Sequence, residues 1–125
     1  IIVELYVSTD VPSTDFTAKL VDVYPDGNAY NLTSAILRRS YSQGIDEFNK
    51  VYKIILVLPP TSNAFHKGHK IRLEISSSNF PHFDRNANTG REFDSAENSR
   101  IAKQKIYHSA QYPSRIVLPI IPIKN

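Results

Sequence analysis

Apolar residues in this chain recur at every second position, in short runs closed by turn-forming residues, and that pattern dictates strands. Val3, Leu5 and Val7 share one face of a first run, with Glu4 and Tyr6 opposite, and Val11-Pro12-Ser13 breaks it. Phe16, Ala18 and Leu20 lead a second run to Tyr24. Pro25-Asp26-Gly27-Asn28 then supplies a turn, since Pro presets φ and Gly and Asn accept positive φ. A third strand is predicted from Ala29 to Tyr41, with an irregularity at Thr33-Ser34, and it pairs with the second as a hairpin.

Residues 42–50 are polar, contain Gly44 and read as a loop. Val51 to Leu58 is almost continuously aliphatic, which predicts a strand buried on both faces, closed by Pro59-Pro60. Ile71, Leu73 and Ile75 alternate with Lys70, Arg72 and Glu74, so that strand has one wet face. Asn79 to Asn98 is long and polar, and a loop of that length in a compact domain is functional or mobile. Strand character resumes from Ala102 to His108. A last strand carries Ile116, Leu118 and Ile120, with Pro119 placing it at an edge. Seven short strands without helical periodicity predict an all-β sandwich or jelly roll.

Composition narrows the chemistry. The 125 residues suffice for one packed domain, residues 1–125. Without cysteine there is no disulfide, thiolate nucleophile or Cys-ligated zinc, which is compatible with a cytoplasmic setting and leaves the compartment open. No apolar run approaches the roughly 20 residues of a membrane helix. The net charge of +3 is small and scattered. Its densest group, Arg100, Lys103 and Lys105, reads as a solvated face rather than a nucleic-acid patch. The chain has no methionine and opens inside an apolar run, Ile1-Ile2-Val3, so it is expected to be part of a longer polypeptide.

Three kinds of constellation could carry chemistry: nucleophilic, metal-binding and aromatic. Ser76-Ser77-Ser78 precedes His82 and Asp84, but no G-x-S-x-G elbow holds an activated serine, so the hydroxyls are expected to satisfy backbone groups. His66 and His69 lack further ligands at zinc spacing. Asp84, Asn86 and Asn88 imitate the start of an EF-hand loop, but the glycine is seventh (Gly90) and the twelfth residue is Ser95, so an Asx-rich loop is expected instead of a calcium site. Phe80, Phe83 and Phe93 punctuate the long loop and either pin it to the core or meet a partner. Tyr24 and Tyr30 flank the hairpin turn as a cross-strand pair.

The stretch from Gly68 to Gly90, GHKIRLEISSSNFPHFDRNANTG, resembles a signature of the X-Pro dipeptidyl-peptidase and cocaine esterase family, which includes α-amino-acid ester hydrolases and glutaryl acylases. The likeness extends in order through Thr14–Gly27 (TDFTAKLVDVYPDG), Asn31–Thr33, Ile36–Arg38, Pro60–Asn63, Tyr107-His108 and Pro113–Pro119. It implies the C-terminal jelly-roll domain of such an enzyme, of the galactose-binding-domain type, with the first strands of the sandwich preceding Ile1. By the same resemblance the Ser-Asp-His triad would sit in an upstream α/β-hydrolase domain, the partner of this one, and no catalytic residue, metal ligand or cofactor is expected here. Asn79, Phe80, Phe83, Asp84 and Arg85 are the candidate interdomain or cleft contacts. Edge strands left open would promote homo-oligomers. The rival reading is an independent carbohydrate- or ligand-binding jelly roll, and the absence of Trp speaks against it.

Overall fold

A computed structural model describes residues 1–40, 47–91 and 94–122. Among them seven strands form two antiparallel sheets that pack face to face as a β-sandwich. Strands β1 (Ile2–Ser8), β4 (Tyr52–Val57), β6 (Lys105–Ile106) and β7 (Arg115–Val117) make one sheet. Strands β2 (Ser13–Val23), β3 (Ala29–Ser40) and β5 (Lys70–Ser76) make the other. In the first sheet β4 flanks one side of β1, while β6 and β7 share its other side at opposite ends. In the second, β2 is central between β3 and β5.

Alternation sorts the side chains as the strand period requires. Val3, Leu5 and Val7 of β1, Phe16, Ala18 and Leu20 of β2, and Ile54, Leu56 and Leu58 are fully buried between the sheets. Leu37, Leu73, Ile75, Ile106, Ile116 and Leu118 close the rim, half-buried. Each fully buried aliphatic or aromatic side chain contributes about 1.5–3 kcal/mol relative to an exposed one. The hairpin turn forms as predicted: the Tyr24 amide donates to the Asn28 carbonyl at 2.8 Å and the Gly27 amide to the Tyr24 carbonyl at 3.0 Å. Gly27 takes the positive φ of 90°, a conformation in which a Cβ is strained on backbone grounds.

Four expectations need correction. The run from Val51 to Leu58 is buried on one face only, because among the described residues nothing packs on the outer face of its sheet; Ile55 is 50% and Val57 68% exposed. The irregularity of β3 falls at Leu32, not at Thr33-Ser34: Leu20 pairs with Thr33 and Val21 with Asn31, so Leu32 is the extra residue of a bulge. Strand character between Ala102 and His108 shrinks to Lys105–Ile106. The last strand ends at Val117, since Pro119 offers no amide to extend the ladder, and Ile120 is left exposed. Tyr41 and residues 42–46 lie outside the described residues, as does Phe93.

Candidate functional site

The outward face of the central strand β2 would normally be wet, yet Asp15 on that face is 1% exposed. An ionised carboxylate out of water needs a cation and further donors. The hairpin supplies the cation, since the register places Arg38 of β3 directly opposite Asp15. Arg38 donates from Nε to Asp15 Oδ1 at 2.8 Å and from Nη2 to Oδ2 at 2.9 Å, a two-pronged pair. Those hydrogen bonds hold the guanidinium further above its already high pKa.

The long loop completes this cluster and is thereby laid across the outer face of the β3–β2 sheet. Asp84 accepts from Arg38 Nη1 at 3.2 Å. Asn86 donates through Nδ2 to Asp15 Oδ1 at 2.8 Å and to Ser13 Oγ at 2.9 Å. Its own Oδ1 accepts from the Asn88 amide at 2.9 Å, an Asx turn that carries Asn88 into the left-handed region at φ 61°. Asn88 Nδ2 donates to the Arg100 carbonyl at 2.9 Å, and the Arg100 amide to the Ala87 carbonyl at 2.9 Å. Gly90, at φ 83°, passes so close to Pro12 that a Cβ would stand 3.3 Å from the ring. Beyond it, Asp94 accepts from Asn98 Nδ2 and Thr89 Oγ1, each at 2.8 Å, and these bonds hold its carboxyl below the usual range.

At the tip, the loop turns its side chains apart. His82 and Phe83 amides both donate to the Asn79 carbonyl, forming the turn, with a cis peptide at Phe80-Pro81. Phe83 is half-buried and meets His82 edge to face at 4.5 Å. Phe80 is 56% exposed and the Arg85 guanidinium lies over its ring, 4.3 Å from the centroid. Among the described residues no carboxylate pairs with Arg85. So Asp84 faces the sheet and Arg85, next in sequence, is held outward on an aromatic shelf. Arg38 and Asp15, which fix this arrangement, were assigned no role in the sequence reading, and Asn86 entered it only as an EF-hand-like oxygen in an Asx-rich loop. The turn alone would not have found them: the register beside it, Val23 with Ala29, sets Asp15 opposite Leu37, and the extra residue at Leu32 shifts the partner to Arg38.

The other constellations are architectural. Ser76 Oγ accepts from the Ser78 amide and Ser78 Oγ from the Phe80 amide, both at 3.4 Å, so these hydroxyls cap the start of the loop. His69 Nδ1 lies 2.8 Å from Asp22 Oδ1, with Asn63 Nδ2 donating to the same carboxylate at 3.3 Å. Its ring packs on Tyr24 at 4.1 Å, and His66 stands 5.5 Å away. No group of three or more His, Cys, Asp or Glu that could hold a metal occurs among the described residues. The Asp84 and Asn86 oxygens are taken up by Arg38 and by the Asx turn, and Asn88 donates its side-chain amide to the Arg100 carbonyl. Tyr24 and Tyr30 meet edge to face at 4.9 Å, which leaves no flat platform of two coplanar rings. Arg100, Lys103 and Lys105 are exposed, as a solvated face requires.

Comparison with known proteins places this architecture. Residues 1–117 match the family model described as X-Pro dipeptidyl-peptidase C-terminal non-catalytic domain. The chain is 43% identical over 124 residues to cocaine esterase from Rhodococcus sp. (strain MB1 Bresler), covering 94% of this chain and 22% of that protein. Among solved structures, an aminopeptidase from the marine sediment archaeon Thaumarchaeota archaeon superposes with a TM-score of 0.80 at 30% identity, over 90% of this chain and 21% of that one. An α-amino acid ester hydrolase superposes with a TM-score of 0.78 at 27% identity, over 91% and 22%. The chain thus spans about a fifth of the length of these relatives. It belongs to the family of X-Pro dipeptidyl-peptidase C-terminal non-catalytic domains.

Proposed function

We propose that this domain serves a serine hydrolase of the X-Pro dipeptidyl-peptidase or ester/acyl-hydrolase type as its C-terminal accessory domain. It packs on an upstream α/β-hydrolase domain of the same polypeptide, which carries the triad, and its long loop helps wall the substrate cleft. Asn79, Phe80, Phe83, Asp84 and Arg85 are the contact residues. The observation that carries this reading is the Phe80–Arg85 pair, an exposed ring bearing a cation that no carboxylate among the described residues pairs, on a loop braced from beneath. A solvated turn gains nothing from such a construction. A carboxylate presented by a neighbouring domain or by substrate gains a preorganised partner, because the shelf has already limited the rotamers of the arginine.

The division of labour follows. The catalytic domain performs nucleophilic attack and stabilises the oxyanion. This domain contributes the position of one wall, and a misplacement of about 1 Å there is enough to cost about 100-fold in rate. In the full-length polypeptide, Arg85→Ala should lower kcat/KM about tenfold while thermal stability is unchanged, because the side chain is solvated in the free domain. Unchanged kcat/KM with an activated ester and an X-Pro anilide would refute the cleft role.

A further inference from the structure

A polar recess of about 330 Å³ opens beyond Gly90, lined by Thr89, Arg91, Asp94, Asn98 and Arg100. Small-molecule sites start at roughly that size, about 300 Å³. Its walls are held by bonds internal to the domain. The Arg100 carbonyl accepts from Asn88 Nδ2 and the Arg100 amide donates to the Ala87 carbonyl, both at 2.9 Å, so the backbone of Arg100 is tied to the loop. Asp94 accepts from Thr89 Oγ1 and Asn98 Nδ2 at 2.8 Å and from the Ser95 amide at 2.9 Å. The short turn Ala96–Asn98 closes with the Asn98 amide donating to the Ser95 carbonyl at 3.1 Å. Walls fixed in advance spare a ligand the ordering of its site.

The charges of the recess do not cancel. Arg91 and Arg100 bring two guanidiniums to it, and among the described residues no carboxylate stands within ion-pair distance of either. Asp94 is the one carboxylate in the lining, and its three internal donors leave about one of its roughly four acceptor positions open. Among the described residues nothing donates to Asn98 Oδ1. We propose that the recess binds a small hydroxylated monocarboxylate, of the sugar-acid class. The guanidinium forks match a planar carboxylate, and the open acceptors on Asp94 and Asn98 take hydroxyl groups. Asp94 also sets the charge of the ligand: two cations against one carboxylate balance a single negative charge, and a dianion such as phosphate meets repulsion. A neutral sugar forfeits the charge-assisted bonds. The recess shares no residue with Asn79–Arg85, and the proposal does not rest on the cleft reading.

The test is isothermal titration calorimetry of the full-length polypeptide with D-glucuronate, glucose and inorganic phosphate, at low salt, where exposed charges act most strongly. Glucuronate should bind with a Kd of about 1 mM. Arg91→Gln and Arg100→Gln should each weaken it at least about tenfold. Both arginines are exposed, so Tm should be unchanged in either variant and the loss is one of binding alone. Glucose and phosphate should each bind at least about tenfold more weakly than glucuronate. No heat with glucuronate, or binding that survives both substitutions, would overturn the site. Glucose binding as tightly as glucuronate would show that the arginines take no carboxylate, and phosphate binding as tightly would show that Asp94 sets no charge limit; either result would overturn the assignment.

Discussion

Asp15 shows how one residue can decide where a loop goes. Its carboxylate is buried on a strand face that would otherwise be open, and Arg38, Asn86 and Asp84 gather around it. Removing the cation leaves an uncompensated buried charge, which costs about 3–5 kcal/mol in closed sites. Arg38 is 36% exposed, so water relieves part of that, and Arg38→Ala should destabilise the domain by about 3 kcal/mol in urea unfolding. Asp84→Asn, at the 73% exposed end of the same guanidinium, should change stability by less than about 1 kcal/mol. Glu4 offers a pH signature. Hydrogen bonds from Lys53, and then from Arg115, hold its carboxyl below its ordinary 4.5. A depressed folded-state pKa gives stability that is present above pH 4.5 and lost as pH falls through the folded value. The Tm difference between the native protein and Glu4→Gln should therefore shrink on acidification below pH 4.5, and a difference that is independent of pH would contradict this.

At the scale of elements, the sequence was legible wherever strand period and turn chemistry act alone. Val3, Leu5 and Val7, Phe16, Ala18 and Leu20, and the Pro25–Asn28 turn needed only local rules. It misled where neighbours decide. The aliphatic density of Val51–Leu58 is the same for a strand covered on both faces and for one with an open apolar outer face, and only what packs on the sheet tells them apart. The bulge slid to Leu32 because it depends on register, not on the local Thr-Ser composition. The loop's length flagged it, but its anchor was hidden, because Asp15 and Asn86 are 71 positions apart. Gly90 is part of that anchor. Gly90→Ala combines a left-handed φ with a 3.3 Å approach to Pro12 and should cost more than about 1 kcal/mol, read as a lower urea midpoint. Gly27→Ala has open space around its Cβ and should cost only the backbone term, about 1 kcal/mol.

For the molecule as a whole, the sandwich has an open side. Strand β5 has a single neighbour among the described residues, and beside it a groove of about 400 Å³ is lined by Leu5, Leu73, Ile75, Ile106 and Ile116, with His108, Ser114 and Arg115 on its polar side. Unpaired edges and an apolar groove invite a strand from elsewhere. The isolated 125-residue chain should therefore self-associate at micromolar concentration in sedimentation, and a clean monomer would mean that the sandwich closes without help. The same openness suits a domain that works joined to a larger one. The most direct measurement is hydrogen exchange across the long loop in the full-length polypeptide, with and without a phosphonate bound to the reactive serine. If the loop rims the cleft, amides between Asn79 and Gly90 should exchange about tenfold more slowly in the loaded enzyme, while the hairpin tip at Tyr24–Tyr30 stays as it was. Loop exchange that is identical in free and loaded enzyme would contradict the cleft role.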